Sequence, residues 1–153
     1  MATIVKTLFA ITPLALLAFS TPASAASAPT CANPIGAWTN HLSQPSTLTI
    51  KSVDSSTGEI VGTYRSPSGT GGQDYPLIGW MNQATAGSGK DSAVILSFSV
   101  RWGSYGSVTS WTGVCRTTNS QSVLSAMWFL GRAVTDFEWD HVLSGQDTFD
   151  PVT

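Results

Sequence analysis

The residues best equipped for chemistry in this chain are tryptophans set beside small polar side chains. Counting alternate positions along extended segments puts Trp38 with Asn40 and Leu42, and Trp102 with Phe98 and Val100. The same count puts Trp111 with Ser107 and Thr109, and Trp128 with Leu124, Ala126 and Leu130. Such a face differs from an ordinary core, which favours Leu, Ile and Val. Tryptophan offers a flat apolar wall, whereas Asn, Ser, Thr and Tyr offer fixed hydrogen-bonding groups. Apolar walls with a few convergent polar groups describe a small-molecule binding site. Asp147 adds an inward carboxylate, which must find partners wherever it is buried.

The chemistry implied is recognition, not catalysis. No Ser-His-Asp order, metal-ligand spacing or phosphate-binding loop stands out. Asp136, Glu138 and Asp140 could mimic the carboxylate pair of a glycosidase, but their alternate spacing around Trp139 reads as a solvated loop. His41 and His141 read as surface residues. No cofactor is expected.

The elements that must position these residues are strands. From Gly36 onward, short alternating runs are separated by turn signals, with no sustained helical period. Eight strands are predicted: 38–42, 47–53, 59–66, 75–82, 93–102, 108–116, 122–131 and 141–149. Connections such as 54–58, 67–72 and 85–91 are loops rich in Gly, Ser, Thr or Asp, too short for crossover helices. Only residues 133–140 have room for a helical turn. The predicted fold class is all-β, an eight-stranded antiparallel up-and-down barrel. Closure removes the edge strands, and the interior of such a barrel holds one small ligand.

Residues 1–25 read as a secretory signal, with Lys6, the apolar run Leu8–Phe19 and the small-residue ending Thr21–Ala25. The run contains Pro13 and falls short of the roughly 20 residues a membrane-spanning helix needs. Cleavage is expected after Ala25, leaving 26–153 as one domain, extracellular or periplasmic. Losing Lys6 moves the net charge from −2 to −3, against the basic footprint of a nucleic-acid binder. Neither a nucleic acid nor a membrane is expected as partner. Two cysteines, Cys31 and Cys115, favour one disulfide in an exported chain. Chain-entropy arguments value so long a link at roughly 4 kcal/mol.

Six fragments in order resemble the avidin and streptavidin family. The stretch Cys31–Leu42 carries its opening G-x-W-x-N-x-L, and Gly62-Thr-Tyr64-Arg-Ser66 its G-T-Y-x-S/T. Phe98–Trp102, Ser107–Gly113 and Met127–Leu130 are similar to its fifth, sixth and seventh strands, and Trp139 through Gly145-Gln-Asp147-Thr-Phe149 to its end. The likeness runs from Cys31 to about Phe149, and the two cysteines resemble avidin's disulfide.

The resemblance implies non-covalent, high-affinity binding of biotin, with sequestration as a role. Asn40, Tyr64 and a first-loop serine would donate to the ureido oxygen. That loop is two residues longer than usual, so the serine is Ser46 or Ser43, with Ser46 favoured because it leads into the second strand. Ser66 and Asp147 would accept from the ureido N–H groups, and Thr109 would donate to the ring sulfur. Trp102, Trp111 and Trp128 would form the apolar box, with Leu130 and Phe98 nearby. Ser107 and backbone N–H groups near Gly69 and Thr70 would meet the valerate carboxylate. Thr70 stands where streptavidin has Asn, and the short link from Trp102 to Ser107 bears on the same contacts. Trp139 would enter the site of a neighbouring subunit, so a homo-oligomer is expected, a tetramer by resemblance. Two rival readings fit some of the same residues: a lipocalin-like carrier, since Gly36-x-Trp38 also opens such barrels, and a carbohydrate-active enzyme or lectin with Trp platforms.

Overall fold

The computed structural model describes residues 27–83 and 89–153. The expected export signal at 1–25 lies outside the described residues, as do residues 85–88 of the expected loop at 85–91. The chain forms a closed barrel of eight antiparallel strands, each paired with its neighbours in sequence. They are β1 Gly36–Asn40, β2 Thr47–Val53, β3 Glu59–Arg65, β4 Asp74–Gln83, β5 Val94–Arg101, β6 Ser107–Thr118, β7 Gln121–Arg132 and β8 Val142–Pro151. Closure comes from β1 and β8, where Trp38, Thr39 and Asn40 face Pro151, Asp150 and Phe149.

The alternation read from the sequence is the alternation of burial. In β5, Val94, Leu96, Phe98 and Val100 are buried while Ile95, Ser97 and Arg101 face outward. Trp38, Leu48, Ile50, Ile60, Leu77, Leu124 and Phe149 fill the interior with them. The indole N–H of Trp38 donates to the Pro34 carbonyl at 2.9 Å, which satisfies the one polar atom of that buried ring.

Two departures from the sequence reading bear on the site. The first strand ends at Asn40 and not at Leu42, because Asn40 turns the chain. Its backbone N–H donates to the Ser46 carbonyl at 3.2 Å, and its side-chain oxygen accepts the Ser46 N–H at 2.8 Å. Leu42 is consequently exposed at the rim. The loop after Ser66 contains one helical turn, Pro67–Thr70, started by proline at its first position and ended by Gly71 in the left-handed region. The expected turn near 133–140 is a 3₁₀ turn, Glu138–His141. Between β5 and β6 the chain makes another, Gly103–Tyr105.

Cys31 and Cys115 form a disulfide that ties the segment before β1 to the middle of β6, across a sequence separation of 84. The N–H of Cys31 also donates to Ser122 on β7 at 3.1 Å. On the outside, Asp54 shapes the β2–β3 turn by accepting from the N–H groups of Ser56 and Thr57 and from the Ser56 hydroxyl. These bonds hold its carboxyl down at about 2.

Candidate binding site

A cavity of about 460 Å³ occupies the open half of the barrel. Its polar floor is a chain of hydrogen bonds across three strands. Asn40 on β1 donates through Nδ2 to Oδ1 of Asp147 on β8 at 3.0 Å. The other carboxylate oxygen, Oδ2, accepts the indole N–H of Trp111 on β6 at 3.1 Å. Asn40 also accepts the Ser46 N–H, so its amide cannot rotate without breaking bonds at both ends. Asp147 is therefore the partnered inward carboxylate that burial demands.

Tyr64 on β3 completes the floor. Its ring lies 4.7 Å from that of Trp111, and Phe98 also stacks on Trp111 at 5.0 Å. Burial first, and then the negative Asp147, push the Tyr64 phenol well above its ordinary value, so the phenol stays a hydrogen-bond donor. A hydrogen bond with the Ser46 side chain works against that shift in part. Ser46, Tyr64 and the second Nδ2 hydrogen of Asn40 place donors beside the Asp147 acceptor.

The walls are aromatic. Trp102 and Trp111 stand at 66° with centroids 6.4 Å apart, and Tyr64 meets Trp102 edge-on at 5.8 Å. The Trp102 indole donates to the Thr109 hydroxyl oxygen at 2.7 Å, leaving the Thr109 hydrogen to point elsewhere. Trp128 lies opposite Trp111 on β6 and Gly145 on β8 in the strand register. A Cβ on Gly145 would overlap the Trp128 indole, so the glycine makes the room in which this wall lies. Leu130, two residues on, continues the same face outward.

Every predicted binding residue except Trp139 lines this cavity: Asn40, Ser46, Tyr64, Ser66, Gly69 and Thr70 from the first half, and Trp102, Ser107, Thr109, Trp111, Trp128, Leu130 and Asp147 from the second. Of the two candidate first-loop serines, Ser46 is buried in the lining and Ser43 is exposed outside it. Trp139 lies away from its own chain's cavity, 76% exposed and stacked face to face on Phe137 at 5.0 Å. Asp136, Glu138 and Asp140 are likewise absent from the lining.

Leu42, Ser68, Tyr105, Arg132 and Val134 also line the cavity and are not among the predicted binding residues, although the strand count put Leu42 on the face of Asn40. Four of them sit in rim loops, where alternation has no meaning. Arg132 sits at the end of β7, and extending the Trp128–Leu130 parity by two residues finds it.

The avidin family model matches residues 28–152. The chain belongs to the avidin family. As a member it is a binder and not an enzyme, which ends the carbohydrate-active enzyme reading, and the family match places the barrel with the avidins rather than the lipocalins. Among solved structures, this chain is similar to bradavidin, with 29% identity, 78% of this chain and 82% of that one covered, and a TM-score of 0.62. It is similar to apo shwanavidin at 31% identity, covering 77% of this chain and 97% of that one, with a TM-score of 0.58. Core-bradavidin shares 32% identity over 76% of this chain and 97% of that one, with a TM-score of 0.60. No curated protein matches.

Proposed function

We propose that this protein binds biotin non-covalently in the barrel cavity. The observation that carries the reading is the Asn40–Asp147–Trp111 chain of hydrogen bonds, with Tyr64 and Ser46 beside it on the same floor. A cyclic urea needs donors around its oxygen and acceptors at its two N–H groups. Asn40, Ser46 and Tyr64 supply the donors, and Asp147 and Ser66 the acceptors. Three donors on one carbonyl favour its oxyanion-like form, and the charge on Asp147 pulls in the same direction. Thr109 is suited to the ring sulfur, its hydrogen left over by Trp102. Trp102, Trp111, Trp128 and Leu130 enclose the apolar ring system and chain. Ser107, together with the backbone around Gly69 and Thr70, meets the carboxylate tail.

The protein is an exported homo-oligomer, in this reading a tetramer, whose signal is residues 1–25. A disulfide fits an oxidising compartment. Val108, Met127, Phe129 and Val142 expose apolar side chains on the outer face of β6 to β8, the kind of patch that a second copy covers. Trp139 then closes a neighbour's cavity, for which its exposed aromatic face is suited. Sequestration of biotin is the role that follows.

Titration of tryptophan fluorescence with biotin tests the proposal, because Trp111 is hydrogen-bonded into the polar floor and Trp102 and Trp128 line the cavity beside it. Saturable quenching at one biotin per chain is expected. An unchanged spectrum at high biotin would overturn it.

A further inference from the structure

We propose that Arg132 selects ligands by the charge of their tail, favouring a free carboxylate over a neutral amide or ester. The inference rests on the biotin reading and adds a specificity residue to it. Among the described residues, Arg132 and Asp147 are the only charged side chains lining the cavity. They mark opposite ends of it: Asp147 belongs to the hydrogen-bonded floor, and Arg132 continues the Trp128–Leu130 face of β7 outward to the mouth. Its cross-strand partner is Ser107, the residue suited to a carboxylate tail. A cation thus stands beside the place where an anionic tail emerges.

The side chain is held for this task. Nε and one terminal nitrogen of Arg132 donate to the Asp140 carbonyl at 3.1 and 2.6 Å. The Nδ1–H of His141 donates to the Arg132 backbone carbonyl at 2.8 Å, fixing the strand end from which the side chain leaves. Fixing the guanidinium in advance lowers the entropy cost of using it. Its other terminal nitrogen has no hydrogen-bond partner among the described residues. The nearest carboxylate oxygen, on Asp140, is 4.0 Å away, and both side chains are over a third exposed. At that spacing the pair is a loose one, and the other terminal nitrogen keeps its hydrogens for a ligand. The cavity is therefore polarised, anionic where a urea's N–H groups dock and cationic where a carboxylate leaves, and this polarity fixes which end of the ligand enters first.

Calorimetric titration of biotin and biotinamide, which differ only in the charge of the tail, tests the assignment on the full protein, R132Q and R132K. A partly exposed charge pair supports an effect of about threefold to fivefold. R132Q is expected to weaken biotin by that factor and to change biotinamide by less than about twofold, with R132K restoring part of the loss. Added salt should weaken biotin more than biotinamide in the wild type and lose that difference in R132Q. Equal losses for both ligands, or none for either, would overturn the role of Arg132 while leaving the biotin reading intact. Failure of the wild type to bind either ligand would overturn both.

Discussion

The two ends of the cavity are built on different plans. At the floor, Asn40, Asp147, Trp111 and Ser46 bond to one another before any ligand arrives, and each comes from a strand or the residue next to one. At the mouth, Leu42, Ser68, Tyr105 and Val134 come from loops, and the one charged group is braced by a backbone carbonyl. The floor resembles a pre-organised polar site, whose affinity comes from not having to rearrange. The mouth can change its lining without disturbing the barrel. Recognition of the ligand's head should thus be sensitive to single atoms, and recognition of its tail should be graded.

The sharpest way to break that contrast is at Asp147. Replacing it by Ala removes a charged acceptor and leaves the Asn40 amide and the Trp111 indole without their partner. Loss of a charged hydrogen bond costs about 2–3 kcal/mol, so biotin affinity is expected to fall roughly 30- to 150-fold in a calorimetric titration. A loss under about threefold would mean that the floor is not the recognition element.

Trp139 probes the mouth from outside. Its removal takes an exposed side chain from its own subunit, so the barrel's thermal midpoint should stay nearly constant. Biotin affinity should nevertheless fall about tenfold, because a Trp buried against ligand contributes on the order of 1.5–3 kcal/mol of apolar contact and part of this is offset by ordering the loop. Native mass measured on the same samples separates loss of contact from loss of assembly. Unchanged affinity in an intact oligomer would return the mouth to a single chain.

A smaller effect tests the floor by pH. Burial and Asp147 raise the Tyr64 phenol above its ordinary value near 10. The folded state therefore holds this proton more tightly than the unfolded one. The stability it contributes is complete below pH 10 and is lost as pH rises above it towards the folded value. Tyr64→Phe should flatten the high-pH decline of the thermal midpoint relative to wild type. An identical decline in both proteins would show that Tyr64 does not titrate differently on folding.

The same division between strand and loop explains what could be read from the sequence. Alternation located Asn40, Thr109, Trp111 and Trp128 because a pleated strand forces side chains to alternate, whereas the roles of Tyr64 and Asp147 rested on the family resemblance. It overran at Leu42, since nothing in the order of residues reveals that the Asn40 side chain will capture the Ser46 N–H and end the strand. It read Pro67–Thr70 as loop because one helical turn leaves no period to detect. Arg132 was legible by parity, but a charge at a strand's end looks like any solvated terminus until Ser107 is seen across from it.

Thermal unfolding of the native protein with and without saturating biotin tests the central claim most directly. Ligand at about a thousand times its dissociation constant stabilises the folded state by roughly 4 kcal/mol, and tighter binding by more. A large upward shift of the midpoint, much reduced in Asp147→Ala, is the predicted result. A midpoint that biotin leaves unmoved would contradict the account.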